Sequence, residues 1–303
     1  MKCKIFYTIS SFVICLLLSL SLSSVSAHNF TPNESASFLS LVDQIKSALM
    51  PIKIDIASDT DLAQEEAQYA RMLLTDNVTK ELRERNQRVA NEIVGVLDSL
   101  QDLSAQNVSN KITRLNNLLT EAISVRIDKN QLRNSTVQAL AFANDIDKIL
   151  EEYTLAVKGG NASMAMNMAM NMNKSAMNMP SMRDTANHST NMSMKGNDTG
   201  SEIVKKTDAY QRAGALTDTA IDRFNRELKG KSNDTSSENV EKGLEQLKTA
   251  IGNNASLTTM MGIVHGQVHP NLMAAFDLQL APTSNQNKAS MSMSMSNMDG
   301  HSM

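Results

Sequence analysis

Methionine recurs at Met164, Met166, Met168, Met170, Met172, Met177, Met179, Met182, Met192 and Met194, placing ten thioethers between residues 159 and 200. That stretch holds no Leu, Ile, Val, Phe, Tyr or Trp, so these methionines have no apolar company with which to build a packed core. A second group, Met291, Met293, Met295, Met298 and Met303, lies within residues 282–303 and again lacks any other large apolar side chain. Each group carries one histidine, His188 or His301. A thioether is a soft, neutral donor that prefers Cu(I) or Ag(I) to Ca(II), Mg(II) or Zn(II), and imidazole suits copper as well. Hard cations find only Asp184 and Asp198 as carboxylates in residues 159–200.

From Met164 to Met172 the methionines alternate with Ala and Asn. An extended chain would line one face with sulfur, and a helix would stack Met164, Met168 and Met172 at four-residue intervals. Either geometry gathers two or three thioethers around one ion. The plainer readings of the same residues are an inert spacer and an oxidant trap in which thioethers become sulfoxides.

Two further places offer nitrogen ligands. His265 and His269 stand four apart in a segment predicted to be helical, with Met260 and Met261 one turn earlier, and this spacing puts both imidazoles on one face. No Cys, Asp or Glu lies close by in sequence to complete a shell, so a helix-end or core role competes with a ligand role. His28 becomes the amino terminus if a leader is removed after Ala27. Its α-amine and imidazole would then chelate copper together.

Enzyme readings find little support. A ferritin-like di-iron bundle needs Glu-x-x-His pairs, and the sequence has none. The five histidines fall in prospective tails, linker and one helix end, where nothing singles out an acid–base pair. The chain therefore reads as a binding protein without catalytic residues.

Composition sets the compartment. Lys2 and Lys4 precede an apolar run from Ile5 to Leu22 and a serine-rich stretch ending Val25-Ser26-Ala27, the layout of an export signal over residues 1–27. Both cysteines, Cys3 and Cys15, lie inside it, so residues 28–303 have no thiol for disulfides or thiolate metal sites. Asn-x-Ser/Thr sequons begin at Asn29, Asn33, Asn77, Asn107, Asn134, Asn161, Asn173, Asn187, Asn191, Asn197, Asn233 and Asn254, a density suited to an N-glycosylated exported protein. A formal net charge of -3 argues against nucleic acid as a partner. Beyond the signal no apolar run is long enough to span a bilayer, so the expected location is secreted or on the outer cell surface.

The elements that must position these groups read as helices. Thr31-Pro32-Asn33-Glu34 has the form of a capping box with proline at the first helical position. Phe38, Leu41, Val42, Ile45, Leu49, Ile52 and Ile56 follow with helical spacing, and Pro51 predicts a kink or break. Ala63, Ala67 and Ala70 mark a narrow face on a second helix, from about residue 61 to 74. Leu82, Val89, Ile93, Val96, Leu100 and Leu103 form a heptad-like seam read as one helix. Ile112, Leu115, Leu119 and Ala122 continue the pattern, as do Phe142, Ile146, Ile149, Tyr153 and Val157. Strand and hairpin signals are absent.

The organisation is thus all-α: a helical bundle over 28–158, a disordered Met-rich linker over 159–200 opened by Gly159-Gly160, a second helical segment over 201–281, and a disordered Met/Ser-rich tail over 282–303. In the second segment Ile203, Tyr210, Ala213, Ala220, Ile221, Phe224 and Leu228 form one seam. Thr235 and Glu238 cap a helix carrying Val240, Leu244, Leu247 and Ile251, and a last helix is expected from Leu257 to His269, stopped by Pro270. Whether this segment docks on the first is not decided by the pattern.

In the runs Met164 to Met172, Met179-Pro-Ser-Met182 and Met291-Ser-Met293-Ser-Met295, the chain resembles Met-rich exported proteins that handle copper or silver in resistance and uptake systems. The resemblance covers these segments alone and implies that their methionines, with His188 and His301, are soft-metal ligands. More broadly, the sequon density and paired helical segments look like secreted proteins of ammonia-oxidising archaea. Two functions follow as expectations: an exported Cu(I)-binding protein that buffers copper or delivers it to a transporter or oxidase, or a cell-surface helical scaffold whose seam at Leu82 to Leu103 binds a protein partner across inert spacers.

Overall fold

The computed structural model describes residues 31–102, 107–159, 201–232 and 235–278, and every regular element among them is helical. The first helix, α1, spans Pro32–Asp55 and begins as the capping box requires: the Glu34 amide donates to Thr31 Oγ1 at 3.3 Å and the Thr31 amide donates to Glu34 Oε2 at 2.7 Å. Of the kink or break expected at Pro51, the break does not occur: α1 runs on to Asp55, with Pro51 and Ile52 buried against the core. Helix α2, Thr60–Leu73, lays Ala63, Ala67 and Ala70 against its neighbours with no exposed surface, so the small-residue face allows the close approach its sequence predicted.

The heptad-like seam is divided between two helices, α3 (Asp76–Arg85) and α4 (Gln87–Leu100). Asn86 makes the division: its amide donates to the Leu82 carbonyl, closing α3, while its side chain accepts from the Val89 amide at 3.1 Å, opening α4. An asparagine that satisfies its own cap competes with helix continuation. Leu82, Val89, Ile93, Val96 and Leu100 are all buried in the protein's own core, and Leu103, the last residue of the expected seam, lies outside the described residues. The seam is therefore spent on α2 and on α5, Val108–Arg126, and is not a free face.

A short helix α6, Lys129–Arg133, leads into α7, Ser135–Lys158, which carries both cores. Val137 and Ala141 of α7 belong to the core of α1–α5, whereas Ala139, Phe142, Ile146, Ile149, Tyr153 and Val157 belong to a second core with the C-terminal helices. Those are α8 (Thr207–Arg223, prolonged by a π turn at Phe224–Leu228), α9 (Thr235–Gly252), α10 (Leu257–Ile263, prolonged by a π turn at Val264–Val268) and α11 (His269–Phe276). The docking left open by the pattern thus takes place, with α8 packed along α7, α1 and α2. Phe142 meets Phe224 with ring centroids 5.8 Å apart, and the Tyr153 hydroxyl donates to the Ala255 carbonyl at 2.6 Å. Ile203, expected in the seam of α8, precedes the helix and is exposed.

Pro270 does not stop the last helix. A proline within a helix has no N–H and crowds the carbonyl four residues back, here on Gly266, and the wide π turn just before it relieves both problems. Asp277, in the left-handed region at φ 51°, then ends α11. Helix α9 holds this turn in place through Gly243, where an added Cβ would lie 2.8 Å from Val268 Cγ2. Valine is stiff at χ1 and cannot swing aside freely. Replacing Gly243 by Ala should accordingly cost about 1–3 kcal/mol by overpacking, measured as a lower urea midpoint, although alanine is the better helix former. An unchanged midpoint would mean that the two helices separate without loss.

Candidate functional site

The sequence-predicted ligands divide sharply. The methionines of 159–200 and 282–303, with His28, His188 and His301, lie outside the described residues, as do the expected linker and tail. His265 and His269 lie inside them, on the π turn and at the first residue of α11. The structure does bring them together, with ring centroids 5.4 Å apart and the rings edge to face. It also supplies the acidic neighbour that local sequence lacked: Asp147, on α7, has Oδ1 3.4 Å from His269 Nε2. His269 is mostly buried, and burial lowers its imidazole to about 4, so the ring is neutral near pH 7. Burial raises the Asp147 carboxyl to about 6, with His265 opposing the shift. Met260 is fully buried in the second core and serves packing. Among the described residues, no three His, Cys, Asp or Glu side chains are placed as they stand so that they could hold a metal ion.

Two buried ionic networks, unanticipated from the sequence, tie α8 to the first helices. In one, Arg212 donates from Nε to Glu152 Oε2 at 2.9 Å, and from Nη1 to Glu66 Oε1 at 2.5 Å and Asp208 Oδ2 at 3.2 Å. The guanidinium also sits 4.1 Å from the Tyr69 ring centroid, and the Tyr69 hydroxyl donates to Glu152 Oε1 at 2.7 Å. Lys148 completes the set, 2.9 Å from Glu152 Oε1. Burial alone would raise Glu152, but Lys148 and Arg212 outweigh it and hold the carboxyl below its usual range. Glu66 goes the other way, to about 8, because burial exceeds the pull of Arg212 and its Oε2 has no hydrogen-bond partner. The two carboxylates share one guanidinium unequally.

In the second network Arg223 pairs with Asp43, donates to Gln138 Oε1 at 2.6 Å and lies 3.4 Å from Asp145 Oδ2. Asp145 is fully buried, and burial together with the adjacent Asp43 pushes its carboxyl well above the ordinary range. Each network therefore gathers more carboxylates than cations and favours holding a proton. The sequence did contain a signal for them. Glu66 falls within the Ala63–Ala67–Ala70 face and Arg212 within the Ala209–Ala213–Leu216 face, charges at positions where helical spacing calls for apolar residues.

The described residues on either side of the central Met-rich stretch are held by backbone hydrogen bonds. The amides of Lys205 and Lys206 donate to the Ala156 carbonyl at 2.7 and 3.0 Å, and Lys205 Nζ donates to the Lys158 carbonyl at 3.4 Å. The Glu202 amide reaches the Asn254 carbonyl at 2.6 Å. The described segments at Ala156–Lys158 and Lys205–Lys206 thus lie side by side. No protein-family model, curated protein or solved structure matches the chain. None of the described helices is long and apolar enough to cross a membrane.

Proposed function

We propose that this is an exported protein that binds Cu(I) or Ag(I) through the methionines of residues 159–200 and 282–303, with His188 and His301, and that it buffers copper or passes it to a transporter or oxidase. The observation that carries this reading is ten thioethers in a stretch with no other large apolar residue. Many thioethers within a few dozen residues of one chain mean that when one sulfur dissociates others stand at high effective concentration. Such a shell exchanges ligands readily and suits hand-over better than permanent storage. The scaffold alternative loses its main motive, since the seam at Leu82 to Leu100 is buried within the chain. Asn33, Asn77, Asn107 and Asn134 are exposed acceptors for glycans of an exported protein.

Chelator competition for Cu(I) on the chain lacking residues 1–27 tests this. Several ions should bind, and affinity should persist below the pH at which free histidine protonates, because thioethers carry no proton to displace. A chain with every Met of 159–200 and 282–303 replaced by Leu keeps the bulk and removes the sulfur. If that chain competes as well as the parent, the copper reading is wrong.

A further inference from the structure

The orphan nitrogen at the His269 end of α11 has a ligand-shaped environment. His269 Nε2 is buried without a hydrogen-bond partner, although Asp147 Oδ1 lies 3.4 Å away. Charged N–H···O bonds close to about 2.7–2.9 Å, so this pair stands too far apart for a good one. The separation does match a different arrangement. Two donors bound to one tetrahedral zinc at about 2.0–2.1 Å lie about 3.4 Å from each other.

We propose that Asp147, His265 and His269 form a site for one divalent ion of the zinc class, separate from the thioether segments. His269 and Asp147 are preset, each on a helix fixed by the second core. His265 is the closing ligand of this proposal: it is exposed, its ring centroid lies 5.4 Å from that of His269, and a change of its side-chain rotamer has to bring a nitrogen to the shared point when the ion binds. The π turn carries His265 and ends at the residue before His269, which fits the tendency of π turns to occur where a helix serves a function. Water takes the fourth position, since the Asp147 side chain keeps 39% of its surface exposed. Two borderline imidazoles with a single carboxylate favour Zn(II) over Ca(II) or Mg(II), which take oxygen ligands throughout.

Titration of the full chain lacking residues 1–27 with Zn(II), in a background where His28, His188 and His301 are each replaced by glutamine, should give one equivalent of tight binding. Co(II) in its place should give the intense visible absorption of tetrahedral coordination. His265→Ala and Asp147→Asn alter exposed or half-exposed side chains and should keep the helical circular dichroism while weakening Zn(II) by at least about tenfold, the scale on which even outer-shell partners act. Absence of the tight equivalent, a weak octahedral Co(II) spectrum, or tight binding that survives both substitutions would each overturn the site. The Met-to-Leu chain should retain it undiminished, so this proposal and the Cu(I) reading fail separately.

Discussion

Arg212→Met should destabilise the protein by about 3–5 kcal/mol, the usual cost of removing one partner from a buried ion pair. Arg212 is nearly buried, and its partners Glu66 and Glu152 are fully buried, so the substitution leaves the Glu66 carboxyl without its cation and Glu152 with Lys148 and Tyr69 alone. Little on α8 compensates. Apart from Leu216, the apolar residues α8 buries are Ala209, Ala213 and Ala220, each contributing on the order of 0.8 kcal/mol for its buried methyl. Loss of the guanidinium from the two buried carboxyl groups therefore outweighs the alanine packing. Pairing Arg212→Met with Glu66→Met should recover part of the loss, because a well-packed apolar substitute often equals a buried ion pair. Urea unfolding followed by circular dichroism reads both effects. A loss below about 1 kcal/mol for Arg212→Met would mean that the network does not hold α8 in place.

The same network marks the boundary of what the sequence discloses. Helix starts are legible where the signal is local: Thr31 and Glu34 meet across three residues, and the Ala63–Ala67–Ala70 stripe needs only helical spacing. Two boundaries differ from the expected ones because of a single local feature each. Asn86 turns a continuous seam into two helices by capping both, and a π turn lets Pro270 sit near the start of α11 instead of ending the last described helix. Neither change alters the apolar pattern, which is why periodicity misses them. The His265–His269 pair is legible for a similar reason, being a four-residue spacing. Asp147 is not, since it lies more than a hundred residues away and reaches His269 only through the packing of α7 against α11. Arg212 and Glu66 stand out only as charges in apolar stripes, and a stripe does not say which opposite charge will face it.

Raising the pH from 5 to 8 should weaken the parent far more than a Glu66→Gln variant. The carboxyl of Glu66 ionises at about 8 when folded against 4.5 as its ordinary value, so the folded state keeps a proton that the unfolded chain releases. Stability from this group is fully present below 4.5 and is lost as the pH climbs through 8. At about 1.4 kcal/mol per pH unit for one proton, the loss over that window is on the order of 4 kcal/mol. The groups facing Glu66 are Arg212, Asp208, Glu152, Tyr69 and Lys148. Of these Glu152, held low by Lys148 and Arg212, acts in the opposite sense and only at acid pH, where its own stabilisation is lost as it protonates. Arg212, Lys148 and Tyr69 are all pushed upward and do not change charge between pH 5 and 8. The glutamine of the variant would keep an acceptor for the Arg212 guanidinium and carry no titrating proton, so the parent's stability should fall towards or below the variant's as the pH rises. Denaturant unfolding of both proteins at half-unit intervals gives the comparison directly. Parallel curves would show that Glu66 is ionised throughout, and that Arg212 holds two carboxylates at full charge after all.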